Sequence, residues 1–221
     1  MTERPPSEVR APSRLRRATI KVVERSVEVP QFALQRPVPL PPLRAFRAKR
    51  KSEGLDGSVV DMISAASAHA LREHPDVNAS YAAGEIILHR PVNLGHVVAT
   101  DDGLTVPCVR DADHLSLADL AARRRDLDAR ARTGKLHPAE LYDATFTLSN
   151  LGPFGVRSFQ ALVLPPQAAI LAVGAPYGDE ITLTLTVDHR VLDGVPAARF
   201  LATIADRLAE PTWMTHLETT L

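Results

Sequence analysis

The chain has 221 residues, 45 % of them hydrophobic, which is enough to fill the core of one sizeable domain. Basic and acidic residues both number 26, so net charge gives no general pull toward nucleic acid or a membrane surface. A single cysteine excludes an intrachain disulfide and a thiolate metal cluster, and no stretch approaches the roughly 20 apolar residues of a membrane span; a cytoplasmic protein is expected. The charge is uneven along the chain, however. Residues 1–51 carry 13 basic against 4 acidic side chains, net +9, and the remainder carries the matching −9.

Residues 1–12 hold Pro5, Pro6 and Pro12 among charges and are expected to form a disordered or linker-like arm ahead of a domain over 13–221. Ser13 is placed to cap a basic helix running to about Glu28. Gln31–Arg36 reads as a short strand, the proline run Pro37–Pro42 as a connector, and Leu43–Lys51 as a basic helical stretch. Ser58 or Asp56 caps a long helix to about His74, with Val59, Met62, Ile63, Ala66 and Ala70 spaced for a buried face. Glu85–His89, Leu94–Thr100 and Leu104–Val109 read as strands, and Cys108 lies within the last as a buried, inert thiol. Ser116 and Asp119 resemble a capping box opening a helix that stops near Gly134, its Arg123-Arg124-Arg125 run forming a solvated face. One helical turn at His137–Leu141 precedes a strand at Ala144–Leu148, and Ala168–Val173 and Ile181–Val187 complete the strands. No glycine-rich phosphate loop follows the first strand, so the mixed order of helices and strands points to a two-layer α/β sandwich with a mixed sheet.

Two junctions carry chemistry. Ile181–Val187 alternates apolar and hydroxyl residues and breaks into Asp188-His189-Arg190-Val191-Leu192-Asp193-Gly194. The helix beyond it presents Ala197, Phe200, Leu201, Ile204 and Leu208 on one stripe. His189 thus sits in a turn between strand and helix with a carboxylate four residues on, a suitable place for a general base because imidazole titrates near neutrality. At the second junction, Ser149-Asn150-Leu151-Gly152-Pro153-Phe154-Gly155 ends a strand and is expected to hold Ser149 out at an edge.

Phe146–Gly152, Pro165–Gly174 and Asp188–Gly194, in that order and spacing, resemble the catalytic domain of the dihydrolipoamide acyltransferase component of 2-oxo acid dehydrogenase complexes. Asp61, Pro75-Asp76-Val77-Asn78, Asp102–Pro107 and Gly134-Lys135-Leu136 extend the resemblance over roughly residues 13–210. It implies the chloramphenicol acetyltransferase-like fold, assembled as a homotrimer with active sites between subunits. It further implies that coenzyme A and a lipoyl substrate enter from opposite ends of a channel, with no metal. Carried over by motif, His189 is the general base, Ser149 of a neighbouring subunit stabilises the oxyanion, and Asp193 holds the histidine turn, paired with an arginine such as Arg16 or Arg17. C-terminal apolar residues dock between trimers in that family, a role open to Leu217 and Leu221.

The chain also departs from that pattern. The 12 residues ahead of Ser13 hold neither a lipoyl nor a subunit-binding domain, so a lipoyl-domain protein and the other complex components are expected as partners. Asp143-Ala144 replaces a glycine pair, Pro153 a frequent methionine and His96 a small apolar residue, and residues 30–58 look shortened. Two further readings stay open: acylation of a small-molecule hydroxyl from acyl-coenzyme A, and a scaffold or regulatory subunit with little activity of its own.

Overall fold

The computed structural model describes residues 9–218, and the Leu221 expectation and most of the arm lie outside them. The first helix, α1 (Arg14–Val27), begins where the Ser13 hydroxyl accepts the Arg16 backbone N–H at 3.1 Å, as its sequence anticipates. The strand after it, β1 (Gln31–Pro39), runs three residues further than expected, straight through Pro37 and Pro39. It tolerates them because it lies at the sheet edge, where a missing N–H breaks no ladder on the open side. Helix α2 (Leu40–Ser52) starts at once, with the remaining prolines in its first turn, where their missing N–H groups have no partner to lose. The proline run is therefore half strand and half helix start rather than a connector.

Helix α3 (Val59–Glu73) opens with a reciprocal capping box, the Ser58 N–H donating to the Asp61 carboxylate at 2.8 Å. Next comes a strand the sequence did not reveal, β2 (Ala79–Ala82), paired with β3 (Glu85–Leu88) across Ala83 and Gly84. Both turn residues have positive φ, 52° and 84°, the primed turn that suits a two-residue hairpin; an alanine there hides the usual glycine or asparagine signal. The expected strands at 94–100 and 104–109 each split. β4 (Leu94–His96) and β7 (Cys108–Val109) join the main sheet, whereas β5 (Val98–Thr100) and β6 (Gly103–Thr105) form a separate hairpin. Helix α4 (Leu117–Arg132), strands β8 (Phe146–Asn150), β9 (Ala169–Val173) and β10 (Glu180–Asp188), and helix α5 (Gly194–Ala209) follow, with single 3-10 turns between them.

The main sheet has six strands in the order β1-β10-β9-β8-β4-β7. Strands β4, β8 and β9 run parallel and the others antiparallel, the mixed sheet of the expected two-layer sandwich. Alternation decides the two faces. Phe146 and Leu148 of β8, with Leu183, Leu185 and Val187 of β10, point into the core beneath α3 and α5, where Phe146 and Phe200 meet edge to face at 5.6 Å. All five stripe residues of α5 are at most 3 % exposed. The opposite face carries Thr147, Ser149, Ala172, Thr184 and Thr186, small or hydroxyl-bearing residues in register. No helix among the described residues is long and apolar enough to cross a membrane. Beyond α5, the 3-10 segment Pro211–Glu218 returns to the core, with Met214 fully buried and Leu217 partly buried against it.

Candidate active site

The turn after β10 is closed by its own side chains. The Asp188 carboxylate, almost wholly buried, accepts the Arg190 backbone N–H at 2.9 Å and its guanidinium at 2.7 Å, and that guanidinium lies 4.3 Å over the Tyr81 ring of β2. The Asp188 carbonyl accepts the N–H groups of Val191 and Leu192, both at 3.0 Å. A strand end, a hairpin and the start of α5 thereby fix the short turn that carries His189.

His189 donates its backbone N–H to the Pro30 carbonyl at 2.7 Å, and its ring meets Phe32 of β1 at 4.5 Å between centroids, tilted by 52°. The side chain is half exposed, and among the described residues nothing hydrogen-bonds Nε2. Asp193 stands at the N-cap position of α5 but makes no capping bond; its carboxylate is 3.6 Å from His189 Nδ1. That distance suits an ion pair with a protonated ring and is too long for a firm hydrogen bond. The expected pairing of Asp193 with the first helix is not made within the chain: among the described residues its ionisable neighbour is His189, while the Arg17 guanidinium donates to the Pro12 carbonyl.

Ser149 does not project from an exposed turn as expected. It lies inside β8 and is 8 % exposed, because the strand continues to Asn150, whose Oδ1 accepts the Gly152 N–H and starts the turn two residues later. The ladder register sets its distance from His189. Ser149 is opposite Ala172, and Ala172 is opposite Thr184, so Ser149 is two strands from β10 and level with a residue five before His189. Five residues and two strand spacings are about 17 Å along and about 10 Å across the sheet, a separation of roughly 19 Å. One chain therefore brings His189 and Asp193 together and keeps Ser149 out of their reach.

A second histidine is buried behind the sheet. His96 lies beside Leu148 in the ladder, and its Nε2 is 3.0 Å from the Ser64 hydroxyl of α3. Burial, aided by the nearby Arg124 charge, pushes its pKa down to about 4, so the ring is neutral at physiological pH. Close by, Arg124 donates to Asp61 and to Asp128, each at 2.6 Å, so the middle of the arginine run is a partly buried tie between α3 and α4, not part of a solvated face. Burial alone would raise the Asp61 carboxyl, but the bonds and charge of Arg124 and the bonds from Ser58 hold it below its ordinary value. Cys108 is buried as expected, and desolvation lifts its thiol to about 12, which leaves it unreactive. Among the described residues no group of three or more His, Cys, Asp or Glu side chains is placed to hold a metal ion.

The sequence reading missed Phe32 and the Asp188–Arg190 fork as neighbours of the histidine. The fork had a local signal, opposite charges two residues apart at a strand end; Phe32 had none, because its proximity follows from the pairing of β1 with β10.

The family model for 2-oxoacid dehydrogenase acyltransferase catalytic domains matches residues 5–216. The dihydrolipoyllysine-residue acetyltransferase component of the acetoin cleaving system of Bacillus subtilis is 40 % identical over 166 residues, 70 % of this chain and 42 % of that protein. The chain spans less than half the length of the curated relatives it matches. Among solved structures, the dihydrolipoamide acetyltransferase of Azotobacter vinelandii superposes with a TM-score of 0.88 at 33 % identity, covering 97 % of this chain and all of the other. That structure belongs to an investigation of the roles of a serine, a histidine and an asparagine four residues beyond the histidine in the enzyme's catalytic mechanism. Chloramphenicol acetyltransferase shares the fold, with a TM-score of 0.53 at 14 % identity over 85 % of this chain and 94 % of its own. By sequence and fold alike, this chain belongs to the family of 2-oxoacid dehydrogenase acyltransferase catalytic domains.

Proposed function

We propose that the protein is an acyltransferase that moves a short acyl group between a dihydrolipoyl thiol and coenzyme A, with His189 as general base and Ser149 of a second copy completing the site. In this reading His189 Nε2 takes the proton of the attacking thiol as its sulfur bonds to the thioester carbonyl carbon. The carbonyl oxygen gains the negative charge, and the Ser149 hydroxyl donates to it, a contribution of about 3 kcal/mol to the transition state. Collapse of the tetrahedral intermediate breaks the other carbon–sulfur bond, and the imidazolium returns its proton to the departing thiolate. Asp193, 3.6 Å from Nδ1, stabilises the ring while it is charged.

The observation that carries this reading is the separation of Ser149 from His189 by the sheet register. Side chains of the right types, one in β8 and one in the turn after β10, stand roughly 19 Å apart and act together only across an interface between copies. We infer a homotrimer that acts on lipoyl groups of a 2-oxo acid dehydrogenase complex. The serine and histidine investigated in the Azotobacter enzyme match Ser149 and His189 in type, and the four-residue spacing from its histidine to its asparagine matches that of His189 and Asp193, an aspartate here.

The test is transfer from a panel of acyl-coenzyme A thioesters, acetyl to branched-chain, to free dihydrolipoamide. We expect turnover with at least one thioester and a loss of about a thousandfold in His189→Ala, within the range for a positioned general base. A folded, assembled His189→Ala protein with full activity would refute the assignment.

A further inference from the structure

We propose that Phe32 is a positioning residue for His189, holding the imidazole in one orientation from the neighbouring strand; this rests on the reading of His189 as the base. Within its own chain the ring of His189 has little other support: it is half exposed there, and its carboxylate neighbour is 3.6 Å away, too far for a firm hydrogen bond. Phe32 supplies an aromatic ring whose centroid is 4.5 Å from that of the imidazole, tilted by 52° to it.

Phe32 can act as a bracket because the start of β1 is anchored on every side. Phe32 lies opposite Val187 in a ladder that pairs all nine residues of β1 with β10, and Pro30 accepts the His189 N–H. Gln31 next to it ties three segments together. Its side-chain amide donates to the Ser26 carbonyl at 2.7 Å, and its Oε1 accepts the Val163 N–H at 3.0 Å. The backbone and side chain of β1 thus hold the histidine from one side while the Asp188–Arg190 fork holds its turn from the other. An imidazole free to swing would spend part of its time out of line with an attacking thiol, which lowers turnover without changing how substrates bind.

The experiment compares Phe32→Leu, which keeps apolar volume and loses the flat face, with Phe32→Tyr, which keeps the face. Phe32→Leu is expected to lower kcat roughly tenfold with KM for both the thioester and the thiol substrate unchanged, and Phe32→Tyr to restore it to within about twofold of wild type. In the same proteins, NMR relaxation of the His189 ring Cε1–Hε1 group is expected to report faster, wider motion in Phe32→Leu only. Thermal melting confirms that each variant is folded. Unchanged kcat and unchanged ring relaxation in Phe32→Leu would overturn the proposal, as would a rise in KM alone, which would make Phe32 a substrate contact. If His189→Ala turns out fully active, the functional reading fails, while the relaxation comparison still decides whether Phe32 restrains the ring.

Discussion

His96 and Arg124 are the residues where burial and charge are most finely opposed, and both lie behind the site rather than in it. For His96 the folded pKa is about 4 against about 6.5 in an unfolded chain. The unfolded state therefore binds a proton that the native state refuses throughout that window. Stability is complete above pH 6.5 and falls as the pH drops toward 4, by up to about 3 kcal/mol. Urea denaturation between pH 7 and pH 4.5 should show this slope, and His96→Val should flatten it. Arg124 presents the complementary case. Arg124→Ala strands the Asp61 carboxylate, fully buried, without its partner, and should cost about 3–5 kcal/mol at pH 7. The sequence placed Asp61 in its helix and singled out His96, yet could not join them: their neighbours come from α3, α4 and β4, segments dozens of residues apart.

At the level of elements, the pattern of α5 was readable almost residue for residue. A stripe at helical spacing can only be satisfied by burial on one side, and the sheet provides it. Phe200 fills the space against Phe146 and His74, so Phe200→Ala should lose about 3–5 kcal/mol, measured as a lower denaturation midpoint with unchanged slope. Strand ends were less legible. β1 crosses two prolines, β8 continues through Ser149 and Asn150, and β2 hides behind an alanine at positive φ. In each case pairing with a neighbouring strand, absent from any local window, overrides the punctuation that side chains suggest.

The whole molecule raises a question of distance. Ser149→Ala and His189→Ala should each be strongly impaired alone, since each removes one half of every site. If the halves come from different copies, chains of the two variants co-expressed in equal amounts should recover about a quarter of wild-type activity, because random mixing rebuilds about one site in four. Activity no higher than that of the separate variants would place both residues' work within one chain or exclude one of them. Sedimentation of the mixed assembly confirms that exchange has occurred.

The sequence by itself determined the layered α/β class, the helix caps at Ser13 and Ser116, the buried stripe of α5, and the three motifs that carry the family resemblance; between Ser58 and Asp56 as the cap of α3 the structure chose Ser58. All of these depend on residues within one turn, one strand or one short loop of each other. Only the tertiary structure decided that Phe32 lies against His189, that Arg124 pairs with the buried Asp61, and that Ser149 lies inside a strand out of reach of the histidine in its own chain. The physical reason is the same each time: which strands pair, and in what register, is set by competition among burial and hydrogen-bonding choices over the entire sheet, so a residue's neighbours across it are a property of the fold and not of its own segment.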